Sequence, residues 1–251
     1  MCKIVHYNVI RWITRNHYIE QIKGFYDSDL IKIIVGIRRS GKSIILEQIM
    51  NDIKRTTDNI IYLNFEDEAI TTNIYNAETL IKYVNDNRKE GKCYIFLDEI
   101  QLIDNWNNAV KSLRLHKNSV FITGSNSKLL SKEYTDAFSG RYVSFRIHPF
   151  VYKEILEYSK ELGIEVSPID YLIWGGFPKR FEFKEKDMIR YLNDLNESII
   201  VKDLILRFKI QNEELFKRIV NYTLISNSRI FSARSIEGYL KNDKALYLFP
   251  V

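Results

Sequence analysis

Residues 36–43, with the sequence GIRRSGKS, constrain the fold of this 251-residue chain more than any other segment, because they have the GxxxxGKS pattern of a phosphate-binding loop. Residues 31–35 before them form an apolar run typical of a buried strand, and residues 44–53 after them carry apolar side chains at helical spacing. A strand, a glycine-rich loop and a helix in this order are the context that the pattern requires. The sequence therefore predicts a P-loop nucleotide-binding fold.

The residue types of this loop fit the binding of a nucleoside triphosphate. Gly36 and Gly41 let backbone N–H groups turn toward phosphate oxygens, Lys42 adds a positive charge near the terminal phosphates, and the Ser43 hydroxyl is a suitable Mg²⁺ ligand. We therefore predict that ATP and Mg²⁺ bind here. The remaining loop positions complete the predicted binding set: Arg38, Arg39, Ser40 and Ile44.

Strands and helices alternate along the first part of the chain. Apolar runs predict further strands at residues 59–65, 93–97, 119–123 and 142–147, and helices at 77–87, 106–116 and 127–138. Continuous apolar strands indicate a parallel sheet buried on both faces, whose ligands bind at the carboxyl ends of the strands. We predict an α/β fold with a parallel five-stranded sheet between helices over residues 1–148, and a smaller helical domain from residue 149 onward.

Two acidic residues follow the third predicted strand. Residues 94–97 read YIFL and lead into Asp98 and Glu99, which is the form of a Walker B element. Asp98 is predicted to ligate Mg²⁺, and Glu99 to activate the water that attacks the γ-phosphate. Alone, such a pair is usually a strand meeting solvent, but downstream of a phosphate loop the catalytic interpretation is favoured. Glu99 also favours hydrolysis over phosphoryl transfer.

Two more residues are predicted to act on the γ-phosphate. The fourth strand leads into residues 123–126, TGSN, and places Ser125 near the Walker B acids as a sensor; the alternative is a strand-to-helix turn that caps the next helix. Arg141 opens the fifth strand and is predicted to be an arginine finger for a neighbouring subunit. Its alternative is a structural arginine at a strand edge.

Composition sets limits on the environment and partners of the chain. No apolar run approaches the ~20 residues of a membrane span, and the first residues lack the apolar region of a secretory signal, so we expect a cytoplasmic protein without membrane contact. Cys2 and Cys93 lack metal-ligand spacing and are expected to be reduced thiols. A net charge of +5 permits nucleic-acid contact but does not require it.

Six ordered motifs resemble those of prokaryotic AAA+ ATPases of the archaeal-ATPase-like group: GIRRSGKS, YIFLDEIQ, TGSNS, SGRYVSFRIHPF with Glu154 soon after, YLIWGGFPKR and KDLILRFKI. The resemblance covers about residues 9–241. It implies an AAA+ core at 1–148, a helical lid at 149–210 and a partial winged-helix segment at 211–251. It also supports Arg141 as a finger and implies that Pro178 packs near adenine, whereas the residues alone predict only a turn there.

The resemblance carries less information about the last segment. Members of the group commonly continue into a winged helix and a nuclease-like domain, whereas this sequence stops where a recognition helix and wing are expected, so no nuclease activity is implied. Any DNA contact is expected at basic side chains of this segment: Lys217, Arg218, Arg229 and Arg234.

The sequence predicts Mg²⁺-dependent ATP binding and hydrolysis, coupled to DNA or to a protein partner, with a homo-oligomer as the expected assembly if Arg141 is a finger. The alternative from another class is a nucleotide-gated binding module with little or no turnover. A further alternative is a remnant of a mobile element that keeps a folded but idle nucleotide domain.

Overall fold

The computed structural model describes residues 13–125, 138, 140–205, 208–227 and 232–241. The chain packs as two compact units, residues 1–181 and 182–251. The first unit therefore includes helices that the sequence analysis assigned to the lid. The division into a core at 1–148, a lid at 149–210 and a winged-helix segment at 211–251 stays a prediction.

A five-stranded parallel sheet forms the centre of the first unit. Its strands lie in the order β2-β3-β4-β1-β5, and every pair of neighbours is parallel. This confirms the predicted α/β fold. The strand bounds are β1 (Ile31–Gly36), β2 (Ile60–Asn64), β3 (Tyr94–Asp98), β4 (Ser119–Ser125) and β5 (Tyr142–Arg146).

Helices connect β1 to β2, β2 to β3 and β3 to β4, as parallel pairing requires. The helix predicted at residues 77–87 has those bounds in the structure, whereas the helix predicted at 127–138 lies almost wholly outside the described residues. The helices of the first unit are α1 (Asn16–Lys23), α2 (Lys42–Ile53), α3 (Glu68–Thr71), α4 (Ala77–Asn87), α5 (Trp106–Leu115), α6 (Tyr152–Leu162) and α7 (Pro168–Trp174), with short 3₁₀ helices at Ile100–Leu102 and Pro178–Glu182.

Both faces of the sheet are covered, because successive side chains of each strand point to opposite sides. On β1, Ile33 and Val35 pack in the cluster that contains the inner faces of α4 and α5, whereas Ile34 packs in the cluster that contains α1 and α2. The rings of Phe96 and Phe121 stack at 4.7 Å between centroids in the second cluster. This two-sided burial explains why the strands are almost continuously apolar.

Lys32 interrupts the apolar sequence of β1, yet it is completely buried. Its Nζ donates hydrogen bonds to Ser119 Oγ at 2.8 Å and to the Ser28 carbonyl at 3.2 Å. The same nitrogen lies 4.7 Å from the ring centroid of Phe121. These contacts compensate in part for the loss of hydration, as a buried cation requires.

The second unit is helical in its described part. Its elements are α8 (Glu185–Ser198), which continues into a π-helical segment (Ile199–Ile205), α9 (Glu213–Ile225) and α10 (Ala233–Lys241). The last two helices pack together, with the rings of Tyr222 and Tyr239 4.7 Å apart and Arg218 Nη2 donating to the Leu240 carbonyl at 2.8 Å. Among the described helices of both units, none has the length and apolar character of a membrane span.

Replacing Lys32 by methionine should change how stability depends on pH. Burial lowers the pKa of Lys32 from 10.5 to about 7, with the charge of Lys92 adding to the shift and Asp27 and Asp29 opposing it. Between these pH values the unfolded chain binds a proton at Lys32 that the folded chain lacks. The free energy of unfolding should therefore increase as pH rises, by at most about 1.4 kcal/mol per pH unit. Urea unfolding between pH 7 and 10 measures this slope.

The Lys32→Met variant should lack this pH dependence and should be more stable than the wild type near pH 7. The difference in the free energy of unfolding between the two proteins should decrease as pH rises. Lys89→Met is the control, because Lys89 pairs with Asp58 at the surface and should give a curve parallel to the wild type. Parallel curves for the wild type and Lys32→Met would show that Lys32 keeps an ordinary pKa.

Candidate nucleotide-binding site

The phosphate-loop motif connects β1 to α2, as the sequence predicts. β1 ends at Gly36 and α2 begins at Lys42, with Gly41 preceding the helix at φ +95°. This left-handed conformation is accessible to glycine without strain and turns the chain into the helix. The backbone N–H groups of the first helical turn therefore face the end of the sheet, which is a favourable place for an anion.

Gly36 is required by the close approach of two backbones. A Cβ atom at this position would lie 2.3 Å from the Ile147 carbonyl oxygen and 2.6 Å from Ser40 Oγ. The N–H of Ile147 also donates to the carbonyl of Val35 at 2.7 Å. The first residue of the loop therefore packs closely against Ile147, which directly follows β5.

Lys42 is the cation of the loop and is nearly buried, with 7% of its side chain exposed. Its Nζ lies 3.4 Å from the Ile37 carbonyl oxygen, to which it donates, and 3.8 Å from Glu99 Oε1. The ammonium group is therefore held over the loop by a carbonyl on one side and a carboxylate on the other. Ser43 and Ile44 follow in the first turn of α2 and are partly buried.

The Walker B carboxylate of Asp98 is buried and held by two hydroxyl groups. Thr123 Oγ1 donates to Asp98 Oδ1, and Tyr62 OH donates to Asp98 Oδ2 at 3.4 Å. Burial and the nearby Asp98 charge raise the pKa of Tyr62, so its hydroxyl remains a donor at neutral pH. The sequence analysis did not select Thr123, although its place in the motif TGSNS was a usable signal.

Glu99 has a conformation of its own at the end of β3. Its φ of +52° is left-handed, and its N–H donates to Thr123 Oγ1 at 3.1 Å. Its carboxylate accepts a hydrogen bond from Gln101 Nε2 and approaches Lys42. The carboxylate of Glu99 therefore lies on the side of the phosphate loop.

Sheet order explains why these residues meet. β4 lies between β1 and β3, and its register pairs Ser125 with Gly36 and Ile122 with Leu97. The ends of three neighbouring parallel strands thus supply the loop, Ser125 and the Walker B acids at one edge of the sheet. The role of Ser125 as a γ-phosphate sensor stays a prediction.

The other predicted residues lie in different surroundings. Arg39 is exposed at φ +63°, and Arg38 is half-buried in the loop. Arg141 is exposed beside the start of β5, where the Ile31 N–H donates to its carbonyl at 3.0 Å. This is the amino edge of the sheet, roughly 16 Å of strand away from the loop. Pro178 is buried at the start of a 3₁₀ helix.

Arg15 is a loop contact that the sequence analysis missed. It lies before α1 with 2% of its side chain exposed, and its Nη1 donates to the Ser40 carbonyl at 3.1 Å. Its Nε and Nη2 donate to the two carboxylate oxygens of Glu154 at 2.6 and 2.9 Å. Of the two residues, only Glu154 had a sequence signal, because it belongs to one of the family-like motifs. Nothing in the sequence indicated that Arg15 pairs with it, since 139 residues separate them.

The donor set at this edge suits a magnesium ion. Ser43 offers a hydroxyl and Asp98 a carboxylate, and both are hard oxygen donors. Among the described residues there is no cluster of three His, Cys, Asp or Glu side chains that forms a complete metal cage. One carboxylate and one hydroxyl are sufficient where Mg²⁺ keeps several waters and shares phosphate oxygens with its nucleotide.

A parallel α/β sheet with this loop and a carboxylate two strands away defines a P-loop nucleoside-triphosphate-binding protein. The model of the AAA domain family matches residues 28–156, more than half of the chain. The chain belongs to the AAA domain family, which confirms the AAA+ resemblance drawn from its motifs.

Relatives with similar sequences are uncharacterized and longer. A protein of Haemophilus influenzae is 31% identical over 243 residues, which cover 92% of this chain and 60% of that protein. A protein of Methanocaldococcus jannaschii is 31% identical over 223 residues, which cover 84% of this chain and 50% of that protein. The chain thus spans between half and two thirds of the length of these relatives.

Solved structures with a similar chain trace are more distant. AMPPCP-bound DnaA from Aquifex aeolicus is 16% identical with a TM-score of 0.47, covering 91% of this chain and 77% of that chain. The Aeropyrum pernix ORC1 protein in complex with DNA is 11% identical with a TM-score of 0.46, covering 98% and 82%. The family assignment of this chain comes from the family model.

Substituting Gly36 by alanine should destabilise the protein, because the added methyl group would overlap the Ile147 carbonyl oxygen and Ser40 Oγ. We expect a loss of roughly 2–4 kcal/mol in the free energy of unfolding, measured by urea titration. Gly24→Ala is the control, since Gly24 has open space around it and a helical φ of −61°. Equal stability of Gly36→Ala and Gly24→Ala would contradict the close approach described here.

Proposed function

We propose that this chain binds ATP with Mg²⁺ and hydrolyses its β–γ phosphoanhydride. The observation that carries the proposal is the meeting of Lys42, Asp98 and Glu99 at one edge of the sheet, with Glu99 Oε1 3.8 Å from Lys42 Nζ. A phosphate-binding cation, a metal ligand and a base within reach of each other are the parts that hydrolysis requires. Membership of the AAA family supports the same reaction.

Each side chain has a distinct task in this proposal. Lys42 and the N–H groups of the loop bind the phosphates, and Ser43 and Asp98 hold Mg²⁺, which neutralises charge on the phosphate oxygens when bound. Glu99 orients and deprotonates the attacking water. Ser125, beside Gly36 in the sheet, reports the γ-phosphate, and Pro178 packs near the base.

What hydrolysis drives is proposed more broadly as work on DNA or on a protein partner. The net charge of +5 supports DNA, but Lys217 pairs with Glu197 and Arg218 donates to Leu240. These two basic residues are thus engaged within their own unit. Of the remaining candidates, Arg229 lies outside the described residues.

Phosphate release distinguishes an ATPase from a nucleotide-gated binding module. We expect steady turnover with ATP and Mg²⁺, lost on chelation of the metal, measured over a range of protein concentrations with and without duplex DNA. ATP binding without release above the background of the Lys42→Ala protein would instead favour the gated module. Stimulation by DNA would support DNA as the partner.

Lys42→Ala and Glu99→Gln should separate binding from turnover. Lys42→Ala removes the cation and should weaken ATP binding by at least about tenfold. Glu99→Gln should keep ATP affinity equal to or tighter than the wild type, because it removes the carboxylate that lies against Lys42, while turnover falls by roughly 10²-fold or more. Equilibrium titration and phosphate release measure the two quantities.

Glu66→Gln is the control for this pair, because Glu66 is an exposed acid just beyond β2 at the same edge of the sheet. It should leave both affinity and turnover unchanged. Wild-type turnover in Glu99→Gln would exclude Glu99 as the activating base.

Arg141→Ala should abolish most hydrolysis, because Arg141 is proposed to act on the nucleotide of a neighbouring subunit. Arg141 lies at the edge of the sheet opposite its own loop, so as an arginine finger it would act on another copy of the chain. Specific activity of the wild type should rise with protein concentration, and Arg141→Ala should bind ATP normally but lose turnover on the order of 10³-fold. Arg55→Ala, at an exposed arginine on the chain after α2, should keep full activity.

An experiment that mixes two variants distinguishes an arginine finger from a structural role for Arg141. Arg141→Ala protein offers an intact pocket and Lys42→Ala protein an intact finger, so mixed oligomers should recover part of the activity. Demonstrated mixed oligomers without recovery would assign Arg141 a structural role.

A further inference from the structure

The buried guanidinium group of Arg15 contacts the phosphate loop and makes three hydrogen bonds. One nitrogen donates to the carbonyl of Ser40 at 3.1 Å, and the other two donate to both oxygens of Glu154. The guanidinium carbon also lies 4.6 Å from the ring centroid of Tyr18 and 5.1 Å from that of Phe150. Three hydrogen bonds, two aromatic contacts and one charge are thus used at a single buried position.

Stability alone is a poor explanation for such an arrangement. A buried ion pair loses most of its Coulomb energy to desolvation, and apolar residues of similar volume often stabilise a core equally well. Tyr18 and Phe150 already provide an apolar setting at this place. What an apolar residue lacks is a directed donor for the carbonyl of Ser40.

That donor fixes the direction of the next amide. The described residues contain no cis peptide bond, so the carbonyl of Ser40 and the N–H of Gly41 point in opposite directions across one planar peptide. Because the carbonyl points at Arg15, the N–H of Gly41 points away from Arg15. Gly41 directly precedes α2, so this amide lies in the loop just before the first helical turn.

Local forces hold this peptide only weakly. Gly41 has no side chain, and Ser40 is completely buried with an Oγ that has no hydrogen-bond partner in the described part of the chain. The carbonyl and N–H of a peptide before a glycine can exchange directions at small steric cost. The hydrogen bond from Arg15 is therefore the contact that selects one direction.

Glu154 holds Arg15 and belongs to a distant element. It lies in the first turn of α6, where its Oε2 also accepts the N–H of Val151 at 2.9 Å. The carboxylate therefore connects the start of this helix to the back of the loop through one guanidinium group. Phosphate binding that stiffens the loop should also stiffen the first turn of α6.

We propose that Arg15 and Glu154 form a positioning pair that sets the peptide between Ser40 and Gly41 for phosphate binding and couples the occupied loop to the start of α6. The inference rests on the proposed function, because it requires that nucleotide binds at this loop. Neither residue contacts the reacting atoms in this account, and both act through the backbone.

Nucleotide affinity tests the pair. In the full chain, Arg15→Lys keeps the charge but not the three donors that reach Ser40 and Glu154 together, and Glu154→Gln keeps an acceptor for Val151 but not the charge. Each should raise the Kd for ATP and for ADP roughly tenfold, the size expected for one misdirected hydrogen bond. The double variant should have a Kd no higher than that of the single variant with the higher Kd, because the two residues act as a unit.

The control breaks another ion pair near the same elements. Lys23→Ala removes the surface contact from α1 to Asp52 of α2, at 3.0 Å, and should leave both Kd values unchanged. Thermal unfolding without nucleotide is recorded for every variant, because a merely structural pair would lower the melting temperature and leave the Kd of the folded protein unchanged.

Hydrogen exchange provides the second measurement. In the wild type, ATP should slow amide exchange in the first turn of α6, and this protection should be absent in Arg15→Lys and Glu154→Gln. Wild-type Kd values, or full protection of α6, in either folded variant would overturn the inference. Equal ATP affinity of the wild type and Lys42→Ala would instead contradict the proposed function.

Discussion

The common direction of β1, β4 and β3 is the constraint on which the site depends. Parallel strands end at the same edge, so a loop after β1 and two acids after β3 come within reach of each other without any long connection. The intervening β4 adds Thr123, which donates to Asp98 and accepts from the N–H of Glu99. One threonine therefore contacts both acids, because the sheet places β4 next to β3, whose end carries them.

Local sequence patterns were sufficient to predict the secondary structure and the phosphate loop, but not the order of the strands or the long-range contacts of the site. The loop pattern and the apolar runs predicted the strands, their parallel direction and the helix at residues 77–87, because each depends on neighbours in sequence. Strand order depends on packing of the whole sheet, and the sequence did not specify it. Arg15 was missed for the same reason, since its role depends on a partner 139 residues away, whereas Thr123 lay in the motif TGSNS and could have been selected.

Charged groups at the two edges of the sheet are held in different ways. At the carboxyl edge, Lys42 contacts the Ile37 carbonyl and the Glu99 carboxylate, and Asp98 accepts hydrogen bonds from hydroxyl groups of β2 and β4. At the amino edge, Lys32 is enclosed, and burial lowers its pKa to about 7. Burial, helped by the charge of Lys92, favours the uncharged form of Lys32, and the charges of Asp27 and Asp29 oppose this shift.

The contact between Lys42 and Glu99 gives the loop lysine a counter-ion from its own chain, 3.8 Å away. Lys42 opens α2 and Glu99 directly follows β3, so this charge pair joins the segment that carries the phosphate loop to the segment that carries the Walker B acids. The positive charge that this part of the chain presents to an anion is therefore smaller than Lys42 alone would give.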